Sequence, residues 1–239
     1  SSAGRRAWFR PLLRIASVLL IGLLISYFFV YNPGTQIETA AGEKREVTLP
    51  DASLVLLNAH SELRFKTSRW ESERSVTLEG EAYFRVAKGS RFDVVTPQGT
   101  VSVLGTEFNV RQRGDDLEVR CYEGLVRVET PGRQLELAAG HFFQLLQGQV
   151  SSGTHQESGP SWAQEISRFD RVPLAEVAAE LERLFGVEIQ LEGVDGNRLF
   201  TGSFLHEDLD QALQAVTRPL SLEYHKSSDQ RIIIRPVAP

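Results

Sequence analysis

Ser75-Val-Thr-Leu-Glu-Gly-Glu-Ala-Tyr-Phe-Arg-Val86 decides how the larger part of this chain is read. Apolar and polar residues alternate on either side of Glu79-Gly80, so the stretch reads as two short strands, residues 75–78 and 82–86, around a turn. The same texture runs outward in both directions. Residues 46–49 precede it, and residues 92–95, 100–103, 108–110, 117–119, 125–128 and 135–137 follow. Turn signals punctuate them: Pro50-Asp51, Lys88-Gly89, Pro97-Gln-Gly99, Gly114-Asp-Asp116, Glu123-Gly124, Pro131-Gly132 and Ala139-Gly140. No helical period interrupts the series, so residues 35–147 are expected to form an all-β domain. A sandwich, a barrel and a solenoid all fit, and the pattern does not choose among them.

Residues 148–161, GQVSSGTHQESGPS, are small, polar and without periodicity, and read as a linker. The period then changes. Leu174, Val177, Ala178, Leu181, Leu184 and Phe185 share one helical face, with Pro173 suited to the first turn and Gly186 to the stop. A strand at 187–191 follows, and the pattern recurs as a strand at 199–205, a helix at 208–217 and a strand at 220–224. Glu207, Asp208 and Asp210 place negative charge at the second helix's N-terminus, where the dipole favours it. With residues 167–170 in front and 231–235 behind, residues 162–239 are expected to be a small α+β domain of βαββαββ order. Its last strand, Arg231, Ile232, Ile233, Ile234 and Arg235, either completes the domain's own sheet or leaves an edge for a partner's strand.

At the front, residues 12–31, LLRIASVLLIGLLISYFFVY, hold one charge, Arg14, near the end. As a helix they would span roughly 30 Å, the thickness of a bilayer's hydrocarbon core. A single transmembrane helix is therefore expected, with residues 1–11 as a cytoplasmic juxtamembrane segment. Arg5, Arg6, Arg10 and Arg14 all lie at or before its start, which puts the N-terminus inside and the remainder outside the cytoplasm. A cleaved signal peptide is the competing reading, but this apolar run is longer than such segments and ends in bulky residues. Because the sequence contains no Met, it is expected to begin downstream of the natural start. Overall net charge is -5, and with four bases confined to this acid-free segment the body is more acidic still. Such a body has no basic stripe for displacing counterions from phosphates, so direct nucleic-acid binding is not expected.

The inventory of reactive groups is thin. The single Cys121 precludes an intramolecular disulfide or a multi-cysteine zinc site, and its phase with Leu117 and Val119 points it into a core. His60, His141, His155, His206 and His225 lack metal-ligand spacing, and no HExxH, P-loop, GxSxG or dinucleotide-binding glycine pattern occurs. Glu79 and Glu81 are alternate residues that could face one side as an acid and base, but no partner accompanies them. No conventional enzyme, cofactor or metal is expected.

Several segments, in order, resemble one family: Val47-Thr-Leu-Pro-Asp51, Leu56-Leu-Asn58, Ser61-Glu-Leu63, Val76-Thr-Leu-Glu-Gly-Glu-Ala-Tyr-Phe84, Val94-Val-Thr-Pro97, Val103-Leu-Gly-Thr-Glu-Phe-Asn-Val110 and Glu123-Gly-Leu-Val-Arg-Val128. They closely resemble the FecR/PupR family of transmembrane anti-sigma regulators. Residues 162–235 are similar to the secretin and TonB short N-terminal domain, most clearly in Phe200-Thr-Gly-Ser-Phe204, Asp208-Leu-Asp-Gln-Ala-Leu213 and Leu220-Ser-Leu-Glu-Tyr224.

The resemblance implies a single-pass inner-membrane regulator with periplasmic C-terminal domains. It would relay a signal from a TonB-dependent outer-membrane receptor, such as one for iron carriers (siderophores), to an extracytoplasmic-function sigma factor. The receptor's signalling domain and the sigma factor are the implied partners, and the sigma-binding domain is absent from this sequence. The resemblance also carries self-cleavage onto Gly105-Thr106, where the Thr hydroxyl would attack the preceding carbonyl and leave an ester open to water. A glycine bulge with an ordinary strand threonine is the competing reading there. Two other classes stand beside the relay. One is a periplasmic scaffold or secretion component using the same α+β module, and the other is a glycan-binding or glycan-cutting β domain, for which Tyr83 and Phe84 near Glu79 and Glu81 are too slight a basis.

Overall fold

In a computed structural model, the structure describes residues 19–23, 34–228 and 230–237. The first folded part is built around one long strand, β5 (Arg74–Arg85), that belongs to two sheets. Its first half pairs with β4 (Glu62–Phe65) and, in parallel, with β6 (Phe92–Thr96). Its second half pairs with β3 (Leu54–Leu57) and β8 (Glu107–Arg113).

From that shared strand each sheet grows outward. The first sheet runs β1 (Thr35–Glu38), β4, β5, β6, β7 (Gly99–Val103), β10 (Leu125–Thr130) and β11 (Arg133–Ala138). The second runs β2 (Arg45–Thr48), β3, β5, β8, β9 (Asp116–Glu123), β12 (His141–Leu146) and β13 (Gln149–Thr154). Successive hairpins are laid alternately on the two layers, so the result is a sandwich with open ends. Leu78, Val94, Val101 and Val126 from one layer meet Val55, Phe84, Val110, Val119 and Phe143 from the other in one buried core. Phe84 stacks on Phe108 at 5.0 Å and meets Phe92 across the layers at 6.2 Å.

The transfer between layers happens at Gly80. Its φ of +107° is open to glycine, and an added Cβ would lie 2.6 Å from the Ser61 Cα. Ser61 Oγ accepts a bond from the Glu81 amide at 2.9 Å, closing the bend. Glu79-Gly80, expected to be a turn between two strands, is thus a pivot inside one. A Glu-Gly pair looks the same in sequence whether the chain reverses or merely changes sheet.

The second folded part starts with a 3-10 turn at Ser161–Gln164. It continues as β14 (Ile166–Pro173), α1 (Leu174–Phe185), β15 (Glu188–Leu191), β16 (Leu199–Leu205), α2 (Leu209–Thr217), β17 (Leu222–Ser228) and β18 (Arg231–Pro236). Leu174, Val177, Leu181 and Leu184 bury one face of α1, and Gly186 ends it in the left-handed region. Asp208 caps α2 by accepting the Gln211 amide at 2.8 Å. β14 pairs with β16, and separately β15, β18 and β17 form a three-stranded sheet with β18 in the middle.

Two expectations need correction. A transmembrane helix ahead of an all-β and a small α+β domain does not describe this structure, which is strand-dominated throughout the sandwich. No helix among the described residues is long and apolar enough to cross a membrane. Of residues 12–31 only 19–23 are described, as helix, and the rest lie outside the described residues. Residues 149–154 of the expected linker form β13, because a Gln147-Gly148 turn with both φ positive folds them back on β12. Backbone pairing made that strand, and its small polar side chains gave no sign of it. From Gln36 onward the described chain clusters as one compact unit that holds both folded parts.

Gly80→Ala should destabilise the sandwich by on the order of 2–4 kcal/mol, since it adds left-handed strain to a backbone clash. Chemical denaturation checks this; a change within experimental error would contradict the pivot.

Candidate signalling site at the seam between the folded parts

Strands of the second sheet turn one set of side chains into the core and the other set outward. The outward set here is Glu81 on β5, Asn109 and Arg111 on β8, Glu118 and Arg120 on β9, and Gln144 on β12. Glu81, Asn109 and Glu118 are nonetheless buried, because the C-terminal module lies over them. A cavity of about 360 Å³ remains between sheet and module, walled on the far side by β14 and by Glu176, Glu180 and Arg183 of α1.

Within this seam several polar groups are paired, while the buried Tyr122 hydroxyl has no partner among the described residues. Glu81 accepts from Asn58 Nδ2 and Asn109 Nδ2, one on each oxygen, both at 2.9 Å. Burial pushes its pKa up, against the pull of Arg111 and the two amides. Glu118 has the opposite balance: burial alone would raise it, but Arg111, Arg120 and a Gln144 hydrogen bond hold it at about 2.

The module is pinned at one side of the cavity. Trp162 donates its indole N–H to Asn109 Oδ1 at 3.3 Å. Lys44 donates to the Trp162 carbonyl at 2.7 Å, pairs with Glu165 at 2.8 Å and reaches His206 Nδ1 at 3.2 Å. Burial, then Lys44, lowers the His206 pKa. An ammonium only donates, so Nδ1 accepts and the ring carries its hydrogen on Nε2, 2.9 Å from Ser167 Oγ. The Gly42 amide donates to the Arg183 carbonyl at 3.0 Å.

Comparison with known proteins agrees with this two-part architecture. Residues 35–127 match the family described as FecR protein, and residues 167–234 match FecR, C-terminal. The chain belongs to the FecR family. Two crystal structures of a candidate anti-sigma factor from Parabacteroides distasonis ATCC 8503, at 2.50 and 1.65 Å, are similar to this FecR-family chain. Each has 29% identity and a TM-score of 0.80, and they cover 86% and 85% of this chain and 100% of their own. No curated protein matches it. The family and those two solved relatives together support reading this FecR protein as an anti-sigma regulator.

The residues singled out from the FecR sequence are not brought together. Gly105 and Thr106 lie at the entry to β8, away from the seam residues. Gly105 has a φ of +153° and backs onto Lys88, where a Cβ would lie 2.8 Å from the Lys88 Cα. Thr106 is buried, and its hydroxyl donates to the Leu125 carbonyl at 3.1 Å, an acceptor that takes no proton. Arg231, Ile232, Ile233, Ile234 and Arg235 lie in β18, which is paired on both sides, so this strand completes the domain's own sheet and offers no edge. Arg231 and Arg235 pair with Glu188 and Glu223. Cys121 is buried, and burial raises its thiol to about 11. Among the described residues no group of three or more His, Cys, Asp or Glu is placed to hold a metal.

The depressed Glu118 pKa has a pH signature. Its stabilisation is complete above the unfolded carboxylate value near 4.5 and disappears as pH falls through about 2. Glu118→Gln should therefore cost on the order of 2–3 kcal/mol at pH 7, with the deficit closing between pH 4.5 and 2. Denaturation curves across that range check it, and a pH-independent deficit would contradict the ion-pair account.

Proposed function

We propose that this anti-sigma regulator relays a signal from the signalling domain of a TonB-dependent outer-membrane receptor, of the iron-carrier uptake class, to an extracytoplasmic-function sigma factor. Its folded body then works on the periplasmic side of the inner membrane. The observation that carries this reading is the pairing of a FecR sandwich with a FecR C-terminal module in one chain. The acidic body supports it, since such a surface suits protein partners rather than nucleic acid.

The module's open edge suits a partner. In the three-stranded sheet β18 is enclosed, and β15 has its Ile189 amide occupied by the Glu182 carboxylate at 2.7 Å. A receptor strand adding to this sheet would therefore join β17, where His225, Lys226 and Ser227 are exposed.

Pull-down with this chain from a Gram-negative envelope extract should recover a TonB-dependent receptor. Recovery of a secretion machine in its place would contradict the relay and favour the scaffold. Removing residues 162–239 should abolish receptor capture, and capture that survives the deletion would move the contact to the sandwich.

A further inference from the structure

The two folded parts have separate hydrophobic cores. One lies between the sandwich layers and the other among α1, α2 and their strands, and neither extends across the seam. What joins them is polar: the Trp162 to Asn109 bond, the Lys44 cluster with Glu165 and His206, and the Gly42 to Arg183 bond. The cavity of about 360 Å³ separates much of the remaining facing surface. Such bonds exchange for bonds to water at small net cost, whereas a shared apolar core does not separate without exposing it. The pins are also concentrated, on the 40–44 loop and the 162–165 turn, which ends with Glu165 in the left-handed region at φ +58°. That placement allows the module to swing on the short connection after β13.

We propose that the C-terminal module is a releasable cover on the outer face of the second sheet, opening as a unit while both cores stay folded. The closed form buries Glu81, Asn109 and Glu118, and the open form presents them with Arg111 and Arg120 as a charged face. The opening itself rests on this geometry. Its use, with receptor binding favouring the open form, rests on the relay reading above.

The Gly42 amide and the Trp162 indole N–H donate across the seam at different places. Hydrogen exchange of both in the full chain, with the Val110 amide in the middle of β8 as reference, tests the opening. Both should exchange well ahead of Val110 and with matching protection, as one cooperative event requires. Lys44→Met should speed the indole, and Trp162→Phe should speed Gly42, each about tenfold for a bond of ordinary net worth, with Val110 unmoved. Seam hydrogens that exchange only as slowly as Val110 would overturn the proposal. So would variants that act only on their own side. Adding a receptor's periplasmic signalling domain should speed both hydrogens further. If that domain does not bind, the relay reading fails while the comparison without it still decides the opening.

Discussion

Both oxygens of Glu81 accept an amide N–H, from Asn58 and from Asn109, in a buried space one residue beyond the point where β5 changes sheets. Through the first bond the carboxyl fixes the loop that carries Ser61, the residue packed against Gly80. Through the second it fixes which way Asn109 faces, leaving Oδ1 for the Trp162 indole. A glutamine could not serve both amides, because its own NH2 would confront one of them. The shared strand, the facing of the two layers and the seating of the module therefore meet at one side chain.

Away from that point the forces differ in kind. The sandwich and the module each hold together by apolar burial, which is strong and indifferent to direction. The seam holds by matched hydrogen bonds and charges, which need particular geometry and compete with water. A relay gains from this division. In the relay proposed above, a partner would have only to shift the balance at the seam and would not need to unfold either core.

What could be read from the sequence followed from periodicity. The α1 face of Leu174, Val177, Leu181 and Leu184 repeats as a helix must, and the motifs from Val47 to Val128 carried the family. Glu79-Gly80 misled because a local dipeptide cannot report which sheet its strand enters next. Residues 149–154 misled because backbone pairing alone made them a strand. Arg231 to Arg235 showed a β-forming run but not its neighbours, and enclosure by β15 and β17 is a property of topology. The seam was invisible for a related reason. Glu81, Asn109 and Glu118 alternate with core residues and look solvent-facing, and only the module brought over them makes them buried.

The central claim is that two separately cored parts are joined by a polar seam, and scanning calorimetry of the chain from Gly34 onward tests it most directly. The account predicts two resolvable heat-absorption peaks, the smaller core of the module melting first and the sandwich second. A single transition whose calorimetric and van't Hoff enthalpies agree would show one cooperative body and contradict it.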